Sequence, residues 1–318
     1  APTSNIISAA ELTVGHILSL ARRIPAAHAS LAQGQWKRSA YTGTELYEKT
    51  LGIIGLGRIG ALIAARMQAF GVKVVAYDPY VTSARAQQFG VQLLTLDELL
   101  AESDFVTIHM PKTPETTGMI GTEQLKAMKP TAFVINVARG GLIDEGQLLE
   151  ALRAGEIAGA GLDVFTNEPP LEGSVARELL SLPNVVVTPH LGASTDEAQE
   201  KAGVSVARSV RLALDGELVP DAVNVAGGSI DPYGRPGIAL VEKLGQIFSA
   251  LASSPLTSVD VEVHGELSEY DVSVLKLAAL KGLFTNIVSE SVSYVNAPLL
   301  AEQRGINVRL LTDADSAE

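Results

Sequence analysis

The segment TLGIIGLGRIG, residues 50–60, decides the fold class, because it joins a short apolar strand to a helix through three spaced glycines. Gly55 is expected to make the tight turn after the strand, and Gly57 to let the backbone approach a pyrophosphate. Gly60 would let the helix pack closely on the strand. The helix N-terminus then supplies N–H groups to an anion, so the segment predicts a phosphate-binding turn.

An acidic residue completes this pattern. Asp78 ends the next predicted strand, where a carboxylate can accept a hydrogen bond from an adenosine ribose 2′-OH. Because the same carboxylate would repel a 2′-phosphate, Asp78 favours NAD over NADP as the cofactor. The alternative is a glycine turn near a solvated aspartate, with no nucleotide involved.

The chain around this turn alternates short β-branched runs with helical stretches, which is typical of βαβ units and a parallel sheet. Helices are predicted at Ala9–Arg23, before the sheet, and at Thr195–Leu214, after it. The candidate N-cap residues of the second helix are Ser194, Thr195 and Asp196. The predicted fold class is therefore α/β, with a Rossmann-like doubly wound parallel sheet. Six buried strands are predicted, at Thr50–Ile54, Val72–Tyr77, Phe105–His109, Phe133–Val137, Ala160–Val164 and Val185–Val187.

A stretch of small residues, Ala226–Ser229, is the best candidate for a linker between domains. It predicts a nucleotide-binding domain at residues 1–225. A partial α/β intervening or regulatory domain is predicted at residues 226–318. Its predicted elements are helices at Ile238–Ala252 and Asp271–Val288 and strands at Ser258–His264 and Ile306–Leu311.

Composition excludes several classes of protein. The 318 residues include 24 Lys+Arg against 36 Asp+Glu, a net charge of −12, which argues against a sequence-independent nucleic-acid binder. No apolar run approaches the roughly 18 residues of a membrane span, and no secretory signal is recognisable. The absence of cysteine excludes disulfides and thiolate metal sites and suits the cytoplasm, the predicted location. No metal site is predicted.

Three polar side chains follow predicted strands at the carboxyl edge of the sheet, where ligands bind in such folds. His190 follows the sixth strand, Arg139 the fourth, and Glu168 lies in the loop after the fifth. A histidine could take a hydroxyl proton, a buried guanidinium could hold a carboxylate, and an acid beside the histidine would favour the imidazolium. With nicotinamide, the three suit hydride transfer from a secondary alcohol. Taken singly, they could be a strand-end cap, a surface ion pair and a loop acid.

The other histidines carry weaker signals. His109 ends the third predicted strand at the same edge, and this position alone does not make it catalytic. His16, His28 and His264 are interpreted as surface residues or as core residues with satisfied hydrogen bonds.

These motifs resemble those of the D-isomer-specific 2-hydroxyacid dehydrogenases, in order and over residues 1–225. The resemblance implies that His190 is the general acid/base, that Glu168 supports its protonated form, and that Arg139 binds the substrate's carboxylate and carbonyl. The segments that carry it are Gly55–Gly60 with Asp78, His109–Thr116, Asn136–Asp144, Gly161–Pro170 and Pro189–Ser194. The residues it implies around NAD are Gly55, Gly57, Arg58, Ile59, Gly60, Asp78, His109, Pro111, Ala138, Arg139, Asp163, His190, Gly192 and Ala193.

Within the family, the pattern is most similar to the longer members, whose chains continue into an intervening domain and then a regulatory ACT domain. This implies NAD-dependent oxidation of D-3-phosphoglycerate to 3-phosphohydroxypyruvate, the first step of serine biosynthesis. Family members carry a substrate-domain segment before the position that matches Ala1, so we expect a fragment that binds NAD and turns over slowly. Two alternatives stay open: another D-2-hydroxyacid dehydrogenase, of the glyoxylate or lactate type, and a non-catalytic NAD-sensing module.

The segment 22–49 differs from the rest of the chain, because it carries a net charge of +3 and three large aromatic residues. Such a long irregular stretch suits an arm that crosses to another subunit, and the family dimerises through this region. We therefore expect a homodimer or a homotetramer. Lys37 or Arg38, beside Trp36, could reach a substrate phosphate across the dimer, and the alternative is a solvated basic pair that flanks an aromatic anchor.

Overall fold

A computed structural model describes residue 1 and residues 3–223, 232–252 and 254–314. Contacts divide the chain into two compact units, residues 3–200 and the described residues from 201 onward. This division falls inside a helix, whereas the predicted domain boundary lies at residue 226. The predicted linker Ala226–Ser229 lies outside the described residues, so the boundary there stays a prediction.

The first unit contains a parallel sheet of seven strands in the order β3-β2-β1-β4-β5-β6-β7, which confirms the predicted fold class. The six predicted strands all form, and no strand end differs from its prediction by more than two residues. The prediction of six strands was wrong by one. The edge strand β3 has only two residues, too few to form an apolar run that would predict a strand. The strands are β1 (Thr50–Ile54), β2 (Lys73–Tyr77), β3 (Gln92–Leu93), β4 (Phe105–Ile108), β5 (Phe133–Asn136), β6 (Gly159–Leu162) and β7 (Val185–Val187).

The central strands are buried on both faces because helices cover both sides of the sheet. Ile53 and Phe105 contribute to one apolar cluster, and their neighbours Ile54 and Val106 contribute to another. Since successive side chains of a strand point to opposite faces, each cluster is the core beneath one helical layer. The helices of this unit are α1 (Ile6–Arg22), α2 (Ile24–Ala32), α3 (Arg58–Gln68), α4 (Ser83–Gln88), α5 (Leu96–Glu102), α6 (Thr122–Ala127), α7 (Glu145–Ala154), α8 (Val175–Leu180) and the start of α9 (Asp196–Leu214).

The sequence predicted the start of α9 but did not predict the helix α2. Thr195 caps α9, since its hydroxyl accepts a hydrogen bond from the Ala198 amide at 3.1 Å, and it was one of the predicted cap residues. In contrast, the segment 22–49 was predicted to be irregular, and this was wrong. It contains α2 and a 3-10 turn at Arg38–Tyr41. Pro25 lies in the first turn of α2, where the amide hydrogen that proline lacks is not needed.

The second unit is built around α11 (Ser273–Phe284), a helix that is buried along most of its length. It crosses α10 (Gly237–Leu251) so closely that a Cβ atom on Gly282 would collide with the Glu242 carbonyl oxygen. Strands β8 (Ser258–His264) and β9 (Asn307–Asp313) pair in parallel. Helix α12 (Ala297–Gln303) was not predicted, and α11 ends four residues before its predicted end. No helix in the described ranges is both long and apolar enough to cross a bilayer.

Candidate active site

The glycine turn after β1 has the geometry that a bound pyrophosphate requires. Gly55 has a φ of 97°, in the left-handed region, and a Cβ atom there would lie 2.7 Å from the His109 carbonyl oxygen. A Cβ atom on Gly60 would collide with the Gly55 carbonyl oxygen. Gly57, which precedes α3, would meet no atom within 4 Å and leaves an open cradle at the helix N-terminus. The residues present therefore fit a dinucleotide, with the phosphates at the first amides of α3.

Asp78 is tied to this turn by hydrogen bonds. Its Oδ2 accepts from the Leu56 amide at 2.8 Å, and its Oδ1 accepts from the Tyr80 amide, also at 2.8 Å. The side chain lies at the end of β2 and is half-buried. Because each carboxylate oxygen has two lone pairs, Asp78 keeps acceptor capacity for a ribose hydroxyl after making these bonds.

His109 is turned into the protein, which the sequence did not indicate. Its Nε2 lies 2.9 Å from Thr107 Oγ1, and its buried Nδ1 has no hydrogen-bond partner among the described residues. Burial lowers the pKa of His109 to about 3, so the ring is neutral at physiological pH. Any contact with a nucleotide at this position would come from the backbone. Pro111 follows in an exposed loop, where its carbonyl accepts from Thr116 Oγ1 at 2.7 Å.

The loop after β5 presents Arg139. Asn136 builds this loop, because its Oδ1 accepts from the Ala138 amide at 3.0 Å and its Nδ2 donates to the Arg139 carbonyl at 2.9 Å. The expectation of a buried guanidinium was wrong. Arg139 is exposed, since it extends beyond the strand end, where its Nη1 donates to the Ala138 carbonyl at 2.7 Å. The other guanidinium donors of Arg139 bond to none of the described residues, so they can bind an anion.

Gly140 brings this loop against the loop that follows β6. A Cβ atom on Gly140 would collide with the Phe165 carbonyl oxygen, so only glycine allows the two backbones to lie this close. In the second loop, Glu168 Oε1 accepts from the Phe165 amide at 2.9 Å. Sequence reasoning assigned no role to Asn136 or to Gly140. The side-chain bonds of Asn136 and the tight contact at Gly140 are visible only in three dimensions.

His190 and Glu168 form a hydrogen-bonded pair at the carboxyl edge of the sheet. His190 Nδ1 lies 2.6 Å from Glu168 Oε2, and the two side chains are 48% and 35% exposed. Burial opposes ionisation of Glu168, but the Phe165 amide, His190 and the charge of Arg139 outweigh it and lower the pKa of the carboxyl. Glu168 is therefore an anion that accepts from Nδ1, which leaves Nε2 of His190 to exchange a proton with a ligand.

Asp163 anchors the turn on which His190 lies. The carboxylate is fully buried and accepts from the Leu191 amide at 2.7 Å, the Gly192 amide at 2.9 Å and the Thr188 hydroxyl at 2.5 Å. The backbone carbonyl of Asp163 accepts from the His190 amide at 2.8 Å. Gly192, one of the residues implied around NAD, is buried by these contacts, whereas the next residue, Ala193, is exposed.

A cavity of about 450 Å³ adjoins the His190–Glu168 pair. Apolar residues form most of its wall, including Phe165, Leu180 and Val187, and Arg177 contributes a cation. The structure thus gathers Arg139, Glu168 and His190 at one edge of the sheet. Their chemical roles, and those of the residues expected around NAD, remain predictions.

Two protein families match this chain. The family described as D-isomer specific 2-hydroxyacid dehydrogenase, NAD binding domain, matches residues 14–192, more than half of the chain. The chain belongs to this family. The match confirms the resemblance and the predicted cofactor, NAD. A second family, the D-3-phosphoglycerate dehydrogenase intervening domain, matches residues 234–318.

Curated relatives include the D-3-phosphoglycerate dehydrogenase of Mycobacterium tuberculosis (strain ATCC 25618 / H37Rv), 52% identical over 99% of this chain and 59% of the relative. That of Methanocaldococcus jannaschii is 45% identical over 97% of this chain and 59% of the relative. The chain therefore spans about 59% of the length of these dehydrogenases.

Solved structures of the family have a similar fold. The pyruvate reductase of Chlamydomonas reinhardtii matches with a TM-score of 0.65 and 34% identity, over 69% of each chain. The D-lactate dehydrogenase of Aquifex aeolicus, complexed with NAD and lactic acid, matches with a TM-score of 0.64 and 33% identity, over 68% of this chain and 69% of the other.

Proposed function

We propose that the chain is the NAD-binding part of a cytoplasmic enzyme that oxidises D-3-phosphoglycerate to 3-phosphohydroxypyruvate, the first step of serine biosynthesis. The observation that carries the proposal is the His190–Glu168 pair, 2.6 Å apart at the edge of the sheet where the glycine turn also lies. The curated relatives named D-3-phosphoglycerate dehydrogenase, at up to 52% identity, support the choice of substrate.

Each residue of the site has a defined task in this reaction. NAD, when bound, supplies the hydride acceptor. His190 Nε2 takes the C2 hydroxyl proton of the substrate, and Glu168 stabilises the resulting imidazolium through its hydrogen bond to Nδ1. The exposed guanidinium of Arg139 holds the substrate carboxylate through the donors that Ala138 does not use.

The glycine turn and its neighbours hold the cofactor in this proposal. Gly57, Arg58 and Ile59 surround the pyrophosphate, because the first amides of α3 point out of the helix N-terminus and the cradle at Gly57 is open. Asp78 accepts from the ribose hydroxyls. Asp163 already accepts from the His190 turn with both carboxylate oxygens, so it contacts the nicotinamide carboxamide through a remaining lone pair.

A calorimetric titration tests the cofactor site. We expect the chain to bind NADH more tightly than NADPH, and Asp78→Ala to remove most of this preference, because the carboxylate accepts from the ribose and repels a 2′-phosphate. Asp97→Ala is the matched control, since Asp97 is an acid in the first turn of α5, and it should leave the preference unchanged. Equal binding of NADH and NADPH by the unaltered chain would contradict the proposal.

The basic segment supports the proposed assembly as a homodimer or homotetramer. Trp36 is 82% exposed, and Lys37 and Arg38 beside it are also exposed. A large exposed aromatic residue suits burial in a subunit interface, from which the two cations could reach the substrate phosphate. In the full-length enzyme, Lys37→Ala with Arg38→Ala should raise KM for the phosphorylated substrate, and an unchanged KM would remove this part of the proposal.

A different 2-hydroxy acid is the second candidate substrate. The solved structures that resemble this chain include a glyoxylate reductase, at 32% identity, and a D-lactate dehydrogenase, at 33% identity. An assay of the full-length enzyme with phosphoglycerate, lactate and glycolate separates these substrates. Capture of a partner protein without turnover of any of them would instead favour the NAD-sensing module.

A further inference from the structure

We propose that His16 is a positioning residue for the catalytic turn: through Thr188, its ring fixes the carboxylate of Asp163, on which the His190 turn is built. The inference rests on the proposed function, in which His190 moves the substrate proton. His16 lies on α1, far from the glycine turn and from His190 in the sequence. Neither composition nor spacing connects it with the site.

The atoms form a continuous hydrogen-bonded chain. His16 Nε2 lies 2.8 Å from Thr188 Oγ1, and Thr188 Oγ1 lies 2.5 Å from Asp163 Oδ1. An ionised carboxylate only accepts, so the single hydroxyl proton of Thr188 points to Asp163. The hydroxyl oxygen must then accept from His16, which places the ring proton on Nε2. The direction of the chain is therefore His16 to Thr188 to Asp163.

Burial keeps His16 in this state. The residue is only 2% exposed, and burial lowers its pKa although the nearby charge of Asp163 opposes the shift. The neutral ring has one proton, which the bond to Thr188 requires at Nε2, and its buried Nδ1 has no partner among the described residues. Gly161 makes room for the ring, since a Cβ atom there would lie 3.1 Å from His16 Nδ1.

Asp163 connects these hydrogen bonds to the turn that carries His190. Its carbonyl and carboxylate oxygens accept from three successive amides, those of His190, Leu191 and Gly192. His190 itself has a φ of 55°, a left-handed conformation that residues with a side chain rarely adopt because it is strained. The turn thus needs external restraint, and the Asp163 carboxylate provides it. A carboxylate that lost its Thr188 donor could rotate and release the Leu191 and Gly192 amides.

Amide hydrogen exchange followed by NMR tests this directly, without cofactor. His16→Leu and Thr188→Val each remove one donor from the chain, and we expect exchange at Leu191 and Gly192 to become about tenfold faster. His16→Gln places an amide N–H where Nε2 was and should restore slow exchange. The matched control is Thr13→Val, because this hydroxyl is also buried on α1. Its one hydrogen bond among the described residues is to the Ala9 carbonyl, at 2.8 Å, so exchange in the turn should not change.

The possible outcomes separate a positioning role from a merely structural one. Faster exchange in Thr13→Val equal to that in His16→Leu would mean that any damage to α1 loosens the turn, and would overturn the proposal. Unchanged exchange in Thr188→Val would do the same. If a variant does not fold, the ¹⁵N chemical shifts of the His16 ring in the unaltered protein test the proposal. A proton on Nδ1 is incompatible with the hydrogen bonds from His16 to Thr188 to Asp163, whereas a proton on Nε2 supports them.

NADH titration of the same variants connects the turn to the cofactor. We expect His16→Leu to bind NADH about tenfold more weakly and His16→Gln to bind it nearly as tightly as the unaltered chain. An unchanged NADH affinity in His16→Leu would mean that His16 only stabilises the core, and would contradict its role at the site. The proposed function fails separately, if the unaltered chain binds no NADH, and the exchange data then still decide whether His16 restrains the turn.

Discussion

At the scale of single residues, the candidate site depends on which ring nitrogen of His190 is left available by the hydrogen bond with Glu168. Glu168 accepts from the Phe165 amide with one oxygen and contacts His190 Nδ1 with the other. This arrangement commits Nδ1 to carry a proton and leaves Nε2 as the base. The direction of one hydrogen bond thus decides whether the imidazole can take a proton from a substrate hydroxyl.

Replacing Glu168 by glutamine tests this arrangement. In Glu168→Gln the side-chain oxygen can still accept from Phe165, but the amide N–H then faces His190 Nδ1 and favours the wrong tautomer. We expect kcat of the full-length enzyme to fall about 100-fold or more, with little change in NADH affinity. Steady-state kinetics with calorimetry measure both, and Glu172→Gln, in the same exposed loop, is the control. A kcat within a factor of about two of the unaltered enzyme would exclude Glu168 from the proton transfer.

At the scale of elements, the loops after β5 and β6 meet at a single glycine. Gly140 allows the Arg139 loop to touch the Phe165 carbonyl, so the site depends on backbone contact between two loops. Gly15, in the middle of α1, has the opposite setting, because a Cβ atom there would meet nothing within 4 Å. Identical substitutions at the two positions should therefore have opposite effects.

Gly140→Ala is expected to lower the free energy of unfolding by about 2–3 kcal/mol, since a backbone must move to admit the methyl group. Gly15→Ala is expected to raise it by about 0.5–1 kcal/mol, because alanine loses less conformational freedom in a helix. Urea unfolding of both variants measures the difference. A Gly140→Ala chain as stable as the unaltered one would show that the two loops can separate at little cost.

At the scale of the whole molecule, two buried histidines make the stability depend on pH. Burial lowers the pKa of His109 to about 3 and also lowers that of His16, whereas both groups titrate near pH 6.5 in the unfolded chain. Their contribution is complete above pH 6.5. Below that pH the unfolded chain binds protons that the folded chain refuses, so stability falls as the pH falls.

We therefore expect the free energy of unfolding to decrease between pH 6.5 and about 4, by up to about 1.4 kcal/mol per pH unit for each buried histidine. Urea unfolding at several pH values measures this slope. His109→Gln should reduce this slope by up to about 1.4 kcal/mol per pH unit, the contribution of one proton. His28→Gln, at an exposed position on α2, should leave the slope unchanged. A slope that His109→Gln leaves unchanged would mean that His109 is protonated in the folded chain.

The sequence by itself determined the parallel α/β fold, the glycine turn and the acid that follows it, because these features are local and periodic. Six of the seven strands, Thr195 as a cap and the family were all readable in this way. Tertiary structure alone decided the exposure of Arg139, the inward turn of His109 and the α2 helix within a segment that looked irregular. It also joined His16 to Asp163, since contacts between residues far apart in the chain leave no periodic signal. Hydrogen-bond direction and close backbone approach arise only when separate strands end at the same edge of the sheet.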